Sequence, residues 1–182
     1  MTAGVTKKGG VKGKITGVEK PLTNFLEELG KHLGITIEVS SGLRDKMEQA
    51  NAMYDRWCTK LKKNGICGGI YGTQTLPTKD RDKLTEHYNN SKDLKKKPKE
   101  RSDAKVEFIK LAKTTKSTHL LGKAVDVTRA SVPMNSKCFK IMKKNLRHAS
   151  EKKNETIWHF DTRGKTLPTI NEATKKQWDT VV

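Results

Sequence analysis

Two histidines and one aspartate are the residues of this sequence whose types could together bind a metal ion. His119 and Asp126 stand in the stretch STHLLGKAVDV, and His159 stands in TIWHFD. Imidazole nitrogens and carboxylate oxygens are the ligands that catalytic zinc commonly takes, with three from the protein and one position left for water. Each histidine taken alone is more often a hydrogen-bonded core residue, so a metal site requires that the three side chains converge.

Two predicted strands would carry these side chains on one face of a sheet. In KAVDVTRA, the alternation of a strand places Asp126 on the face opposite the two valines. In ETIWHFD, it places His159 on the same face as Glu155 and Asp161. A glycine ahead of the first strand allows a tight turn, so that His119 can fold back toward Asp126. If the two strands are neighbours, two imidazoles and a carboxylate meet.

The periodicity of the remaining chain predicts the elements that position these strands. Apolar residues recur at helical spacing in five segments, and ITIEVS alternates as a strand does. The order of these helices and strands along the chain favours an α+β fold with a small, mainly antiparallel sheet flanked by helices. The predicted helices are 21–34, 40–65, 104–114, 135–150 and 169–182, and the predicted strands are 35–40, 123–130 and 156–164.

The composition of the chain indicates one domain with two solvated segments. Residues 1–17 are rich in glycine, lysine and threonine and are expected to be a flexible basic N-terminus. Residues 18–182 are expected to form a single domain, with a long basic surface insertion at about 68–103. No glycine-rich phosphate loop follows a predicted strand, which argues against a nucleotide enzyme.

The charge of the chain predicts a polyanionic partner. The 182 residues include 38 Lys and Arg against 20 Asp and Glu, which gives a formal net charge of +18. Nucleic acid, an anionic membrane and a bacterial cell-wall polymer all fit such a charge. The sequence contains no recognisable nucleic-acid-binding module, and only 5% of its residues are aromatic. Nucleic acid is therefore not the primary expectation.

The three cysteines do not form a zinc-ribbon pattern, because none are spaced as C-x-x-C. A bridge between Cys58 and Cys67 would be compatible with an oxidising compartment, whereas reduced, packed cysteines are the favoured interpretation. No apolar run approaches the ~20 residues that a membrane-spanning helix needs. The N-terminal stretch also lacks the apolar region of a secretory signal.

The stretch around His119 resembles a known family signature. The pattern S-x-H-x-x-G-x-A-x-D is present as Ser117, His119, Gly122, Ala124 and Asp126. It is similar to the signature of the zinc D-Ala-D-Ala carboxypeptidases, a family that also includes the L-alanoyl-D-glutamate endopeptidases of phage lysins.

Two further blocks extend this resemblance, and the three stand in the order of the family. IWHFDTRG resembles the family's C-terminal block, in which a histidine after an aromatic or apolar residue is the third zinc ligand; here it is His159. SSGLRDKMEQA resembles a block with S-G-x-R and a glutamine five residues after the arginine, which gives Ser41, Gly42, Arg44 and Gln49. Together the blocks cover about a quarter of the chain.

The resemblance implies a role for each of these residues. It implies that His119, Asp126 and His159 bind Zn²⁺, which would polarise a scissile carbonyl and lower the pKa of its bound water. Arg44 would hold a substrate carboxylate or stabilise the developing oxyanion. Gln49 is either a partner of the site or a solvated helix residue. Ser117 is expected to be a turn or supporting hydroxyl rather than a nucleophile, because no general base is paired with it.

The general base is the point at which this sequence departs from the family pattern. Relatives carry a glutamate three residues before the last ligand or a histidine two before it, and those positions are Thr156 and Ile157 here. Glu155 is the favoured candidate because it shares the face of His159 on a regular strand. Asp161 shares that face too, but it begins the turn DTRG.

The resemblance implies a peptidase that cuts the peptide stems or cross-links of peptidoglycan, and the protein is expected to be a monomer. The alternative is a non-catalytic, zinc-stabilised module that binds an anionic polymer, either cell wall or nucleic acid. Without a secretory signal, a wall hydrolase would be made in the cytoplasm and reach the wall after lysis or export. It would be a phage lysin or a secreted antibacterial effector with an immunity protein as its partner. The sequence leaves both routes and the identity of the cleaved bond open.

Overall fold

In the computed structural model, the described residues of the first of two units form a five-stranded sheet and three helices. The structure describes residues 9–45, 47–49, 52, 117–149 and 156–182. The first unit comprises Met1–Leu43 with Ser117–Val182, and the second comprises Arg44–Lys116.

The sheet is mixed and its spatial order is β1-β2-β3-β5-β4. β1 pairs with β2 in parallel, and the other three pairs of neighbours are antiparallel. The chain is therefore α+β with helices flanking a sheet, as the sequence predicts, but the sheet is not antiparallel throughout. The strands are β1 (Gly10–Gly13), β2 (Thr36–Ser41), β3 (Ala124–Thr128), β4 (Arg147–Ala149) and β5 (Ile157–Asp161).

Three helices lie in this unit, close to the predicted positions: α1 (Lys20–Leu33), α2 (Lys137–Asn145) and α3 (Glu172–Asp179). α1 begins with a proline in its first turn, where the missing N–H costs nothing. Ser136 caps α2 by accepting the N–H of Phe139, and Asn171 caps α3 by accepting the N–H of Thr174. Local sequence signals thus determine where the helices begin.

The hydrophobic core occupies one face of the sheet. Apolar side chains of β2, β3 and β5 pack there with the buried stripes of the helices, and α3 joins through Trp178, whose ring meets the ring of Phe25 edge-on. Because side chains alternate across a strand, the polar residues of the same strands lie on the opposite face. The strand residues of the core are Ile37, Val39, Val125, Val127, Trp158 and Phe160.

β1 is a strand that the sequence analysis missed, because residues 10–13 fall within the segment predicted to be flexible. The strand lies at the edge of the sheet, beside β2, and α1 forms the crossover between these parallel strands. The Val11 N–H donates to Glu27 Oε2 at 2.7 Å. This hydrogen bond ties a glycine-rich strand to the helix above it.

β4 corrects a second prediction, that of a helix over residues 135–150. α2 ends at Asn145, and Leu146 takes an extended conformation with a φ of −120° and a ψ of 156°. The next three residues then pair with β5. Leu146 is fully buried, so packing of its side chain and strand pairing outweigh the helical spacing of the segment.

Several predictions fall outside the described residues. They are the helix at 104–114, most of the helix at 40–65, the basic insertion at about 68–103, and Cys58 and Cys67. Residues 47–49 of the second unit are helical. Cys138 is a buried free thiol whose pKa burial raises to about 12, so it is inert at neutral pH. No helix within the described ranges is long and apolar enough to cross a membrane.

Candidate metal centre

The register of two neighbouring strands brings two candidate ligands together. β3 and β5 pair antiparallel, and Asp126 lies directly opposite His159. Directly opposed residues project to the same face with Cβ atoms ~5 Å apart. That face is the polar one, opposite the core. The alternation inferred from the sequence is therefore correct for these strands, and the pairing makes the two side chains neighbours.

A tight turn before β3 supplies the third side chain. The turn spans residues 118–122, and the Lys123 N–H closes it by donating to the Thr118 carbonyl at 2.8 Å. Gly122 has a φ of 67°, and a Cβ there would collide with the Gly17 carbonyl oxygen. Glycine is thus required for the turn that returns His119 to the sheet.

The three ligand atoms form a small triangle. His119 Nε2 lies 3.3 Å from Asp126 Oδ1 and 3.2 Å from His159 Nδ1, and His159 Nδ1 lies 2.9 Å from Asp126 Oδ1. Ligands at zinc distances in a tetrahedron are separated by about 3.3 Å. His119 and Asp126 are each 4% exposed, and His159 is partly buried. The group could therefore hold a metal ion.

A backbone carbonyl fixes the orientation of the His119 ring. His119 Nδ1 lies 2.7 Å from the Gly42 carbonyl oxygen, which can only accept a hydrogen bond. Nδ1 therefore donates a hydrogen bond to this carbonyl, and Nε2 is the ring nitrogen that faces the triangle. Gly42 is buried, and a Cβ there would collide with the Lys14 carbonyl oxygen. A side chain at this position would displace the acceptor.

A carboxylate holds the other side of the His159 ring. His159 Nε2 lies 3.4 Å from Asp161 Oδ2, while Nδ1 faces Asp126. Burial lowers the pKa of His159, but its hydrogen bonds with Asp126 and Asp161 outweigh this effect and raise the pKa to about 9. A metal ion at Nδ1 would have to displace a proton, and Asp161 would keep the proton on Nε2.

Asp161 is itself fixed by its surroundings. It is 1% exposed, accepts the Arg163 N–H at 2.9 Å and lies 3.6 Å from Arg163 Nη2. Burial raises the pKa of Asp161, but the hydrogen bonds from His159 and from the Arg163 backbone outweigh this effect and leave the pKa below its usual value. Asp161 therefore supports His159 as a charged acceptor.

The other predicted site residues are distributed as follows. Ser117 begins the turn before β3, where its carbonyl accepts the Leu120 N–H at 3.1 Å. Arg44 and Gln49 lie in the second unit, where Arg44 Nη1 donates to Gln49 Oε1 at 3.4 Å and Gln49 is buried. The roles of these three residues in a reaction stay predictions. Glu155, the favoured general base, lies outside the described residues.

Two supporting contacts were not anticipated from the sequence. Gly42 belongs to the S-G-x-R block, and its carbonyl accepts the hydrogen bond from His119. Arg163, in the turn DTRG, donates its backbone N–H to Asp161 Oδ1, and its guanidinium forms an ion pair with Asp161 Oδ2 at 3.6 Å. The glycine of the S-G-x-R block and a carboxylate two residues after a ligand are the sequence signals that point to these two contacts.

Comparison with known proteins adds no relative. No family model matches the chain, and neither the curated proteins nor the solved structures include a match.

Proposed function

We propose that this protein is a zinc-dependent peptidase that hydrolyses the peptide stems or cross-links of bacterial peptidoglycan. The observation that carries the proposal is the triangle of His119 Nε2, Asp126 Oδ1 and His159 Nδ1, whose sides of 2.9–3.3 Å suit one small metal ion. The motif resemblance around the same residues supports zinc and a peptide substrate.

The donor set supports zinc in particular. Two neutral imidazoles and one carboxylate form the set that catalytic zinc sites commonly use, and they leave a coordination position free. Bound there, zinc would supply Lewis acidity and an activated water. The chain's own residues supply the rigidity, because Gly42 holds the ring of His119 and Asp161 holds the ring of His159.

Glu155 and Arg44 complete the proposed reaction. Glu155 would accept the proton of the attacking water and pass it to the leaving amine, which is the task of a general base that then acts as an acid. Arg44 would bind a substrate carboxylate or the oxyanion that develops at the scissile carbonyl. The net charge of +18 would concentrate the protein at an anionic wall through attraction that salt weakens.

The first experiment measures metal content and wall cleavage in parallel. Purified wild type, Glu155→Gln, His119→Ala and the matched control Lys144→Gln are analysed for bound zinc and for amino groups released from purified walls. Lys144 is an exposed residue in the last turn of α2. We expect zinc and activity in wild type and the control, zinc without activity in Glu155→Gln, and neither in His119→Ala.

Other results for wild type would distinguish the peptidase from the alternative functions. Zinc binding with no release of amino groups by wild type would favour the alternative, a non-catalytic module that binds an anionic polymer. Absence of bound zinc from wild type would overturn both interpretations. Mass spectrometry of the released fragments identifies the cleaved bond. A neighbouring holin gene would favour a phage lysin, and a neighbouring immunity gene would favour a secreted effector.

A further inference from the structure

β4 carries an arginine on the same face of the sheet as the metal centre. Arg147 lies directly opposite Asp161 in the antiparallel pair of β4 and β5. Opposed residues share a face, and Asp161 shares its face with His159. The next pair agrees, since His148 lies opposite Phe160 and the two rings pack together with centroids 5.2 Å apart on the core side.

Within the described part of the chain, no residue occupies the guanidinium of Arg147. Arg147 is exposed, and its side chain makes no hydrogen bond or ion pair with any residue that the structure describes. Asp161 is the acidic residue directly opposite Arg147 in the sheet. It is 1% exposed and already contacts His159 and Arg163. Arg147 is therefore not neutralised by the acidic residue beside it.

The charges on this face favour an anionic group beside the metal centre. Asp161 is balanced by Arg163, whose side chain is 56% exposed. A divalent cation held by Asp126 and two neutral imidazoles would leave a net positive charge, and Arg147 adds another. Among the described residues of this face, a substrate carboxylate would therefore meet the positive charge of the metal centre and that of Arg147.

The spacing defines where that carboxylate would lie. Arg147 and His159 are diagonal neighbours across β4 and β5, about 7–8 Å apart, which a long side chain can bridge. Successive residues of an extended peptide are spaced by about 3.3–3.6 Å. The guanidinium therefore reaches a group one or two residues from an amide placed at the metal centre.

We propose that Arg147 forms a carboxylate-binding subsite that selects peptide substrates with a free carboxylate one or two residues from the scissile amide. The proposal rests on the proposed peptidase function and names a recognition element that the motif resemblance does not assign. A planar guanidinium binds a carboxylate through two parallel hydrogen bonds, which a lysine ammonium does not reproduce.

The test compares matched peptides with zinc-loaded protein. One pair is the stem pentapeptide with the D-glutamate α-carboxylate free or converted to the carboxamide; the second pair has its C-terminal carboxylate free or amidated. Cleavage kinetics and calorimetric binding are measured for wild type, Arg147→Gln, Arg147→Lys and Lys144→Gln, the last removing an equal charge from an exposed helix position.

For one of the two pairs, wild type should prefer the free carboxylate by about tenfold in KM and in Kd. Arg147→Gln should lose this preference with kcat little changed, Arg147→Lys should retain part of it, and Lys144→Gln should keep it in full. A change in KM with little change in kcat distinguishes a loss of substrate binding from damage to the metal centre.

Two kinds of failure are distinguishable. If wild type binds the free carboxylate more tightly but cuts no peptide, the peptidase function is wrong and the subsite stands. If wild type treats both members of each pair alike, or binds neither, the subsite is wrong whatever the activity. A Lys144→Gln protein that loses the preference as fully as Arg147→Gln would also overturn the proposal, because general charge would then explain it.

Discussion

At the scale of residues, the metal centre is organised by the atoms that face away from the ligand triangle. Each imidazole directs one nitrogen toward Asp126 and gives its other nitrogen to an acceptor, which is the Gly42 carbonyl for His119 and Asp161 for His159. Such partners orient a ligand and increase its basicity. Changing a partner should therefore weaken metal binding even though no ligand is removed.

We expect Asp161→Asn to lower zinc affinity by about 10- to 100-fold, because a neutral asparagine amide stabilises the proton on His159 Nε2 less than the carboxylate does. Asp179→Asn is the matched control, since Asp179 Oδ1 also lies 2.9 Å from a histidine nitrogen, His32 Nε2, on the helical side of the unit. Competition with a chelating dye measures both affinities. Equal affinity of Asp161→Asn and wild type would show that the ring of His159 is held without Asp161.

His148 is a second histidine of β4 whose environment predicts a stabilising change. Its ring packs among Phe139, Trp158 and Phe160, and its Nε2 is buried with no hydrogen-bond partner in the described part of the chain. Burial and the neighbouring positive charges lower the pKa of His148, so the neutral ring is the folded form. The site favours an apolar ring over a polar one.

His148→Phe should raise the free energy of unfolding by about 1 kcal/mol, because an unsatisfied buried nitrogen is removed. The gain should grow in mild acid. A histidine with a lowered pKa stabilises the folded state above its unfolded pKa, and this stability is lost as the pH falls through the folded pKa. Urea unfolding at pH 7.5 and pH 5.5 measures both effects. A loss of stability at both pH values would mean that the larger ring is overpacked.

At the scale of elements, β5 serves both faces of the sheet. Trp158 and Phe160 point into the core, while His159 and Asp161 point to the metal centre. Packing of the two aromatic rings therefore fixes the rotation of the strand on which the ligand stands. On the helical side, α3 is anchored through Trp178, which contacts the rings of Phe25 and His32.

Trp178→Ala should lower the free energy of unfolding by about 3 kcal/mol, because it removes a large side chain that is 3% exposed and leaves a cavity beside Phe25. Lys176→Ala, an exposed change in the same helix, should alter stability by less than ~0.5 kcal/mol. Urea unfolding of the three proteins tests this. A loss below 1 kcal/mol for Trp178→Ala would mean that α3 contributes little to the core.

At the scale of the whole molecule, stability should depend on pH in opposite ways with and without zinc. Folding raises the pKa of His159 from 6.5 to about 9. The protonated side chain therefore stabilises the metal-free protein fully below pH 6.5, and this stabilisation is lost as the pH rises through 9. Zinc requires the deprotonated nitrogen, so its stabilisation increases over the same range.

We expect the free energy of unfolding of the metal-free protein to fall by on the order of 2–3 kcal/mol between pH 6.5 and 9.5 because of His159. Buffered zinc should restore progressively more of this stability as the pH rises. His159→Gln should remove both dependences. Urea unfolding in chelator and in buffered zinc provides the measurement. If wild type and His159→Gln change alike between these pH values, another group controls the transition.

The sequence by itself determined the local features of this protein. Helical spacing and a first-turn proline predicted α1, and strand alternation predicted that His159 and Asp161 share a face opposite Trp158 and Phe160. These features depend on residues only a few positions apart, so the periodicity of the side chains is sufficient to read them.

Only the tertiary structure decided which of these features meet. The pairing of Asp126 with His159, the Gly42 carbonyl beside His119 and the position of Arg147 all join segments that are distant along the chain. The short strands β1 and β4 were missed for the same reason. Backbone hydrogen bonds between distant segments fix the register of a sheet, and the side-chain pattern of one strand carries no record of which residue of another strand lies opposite.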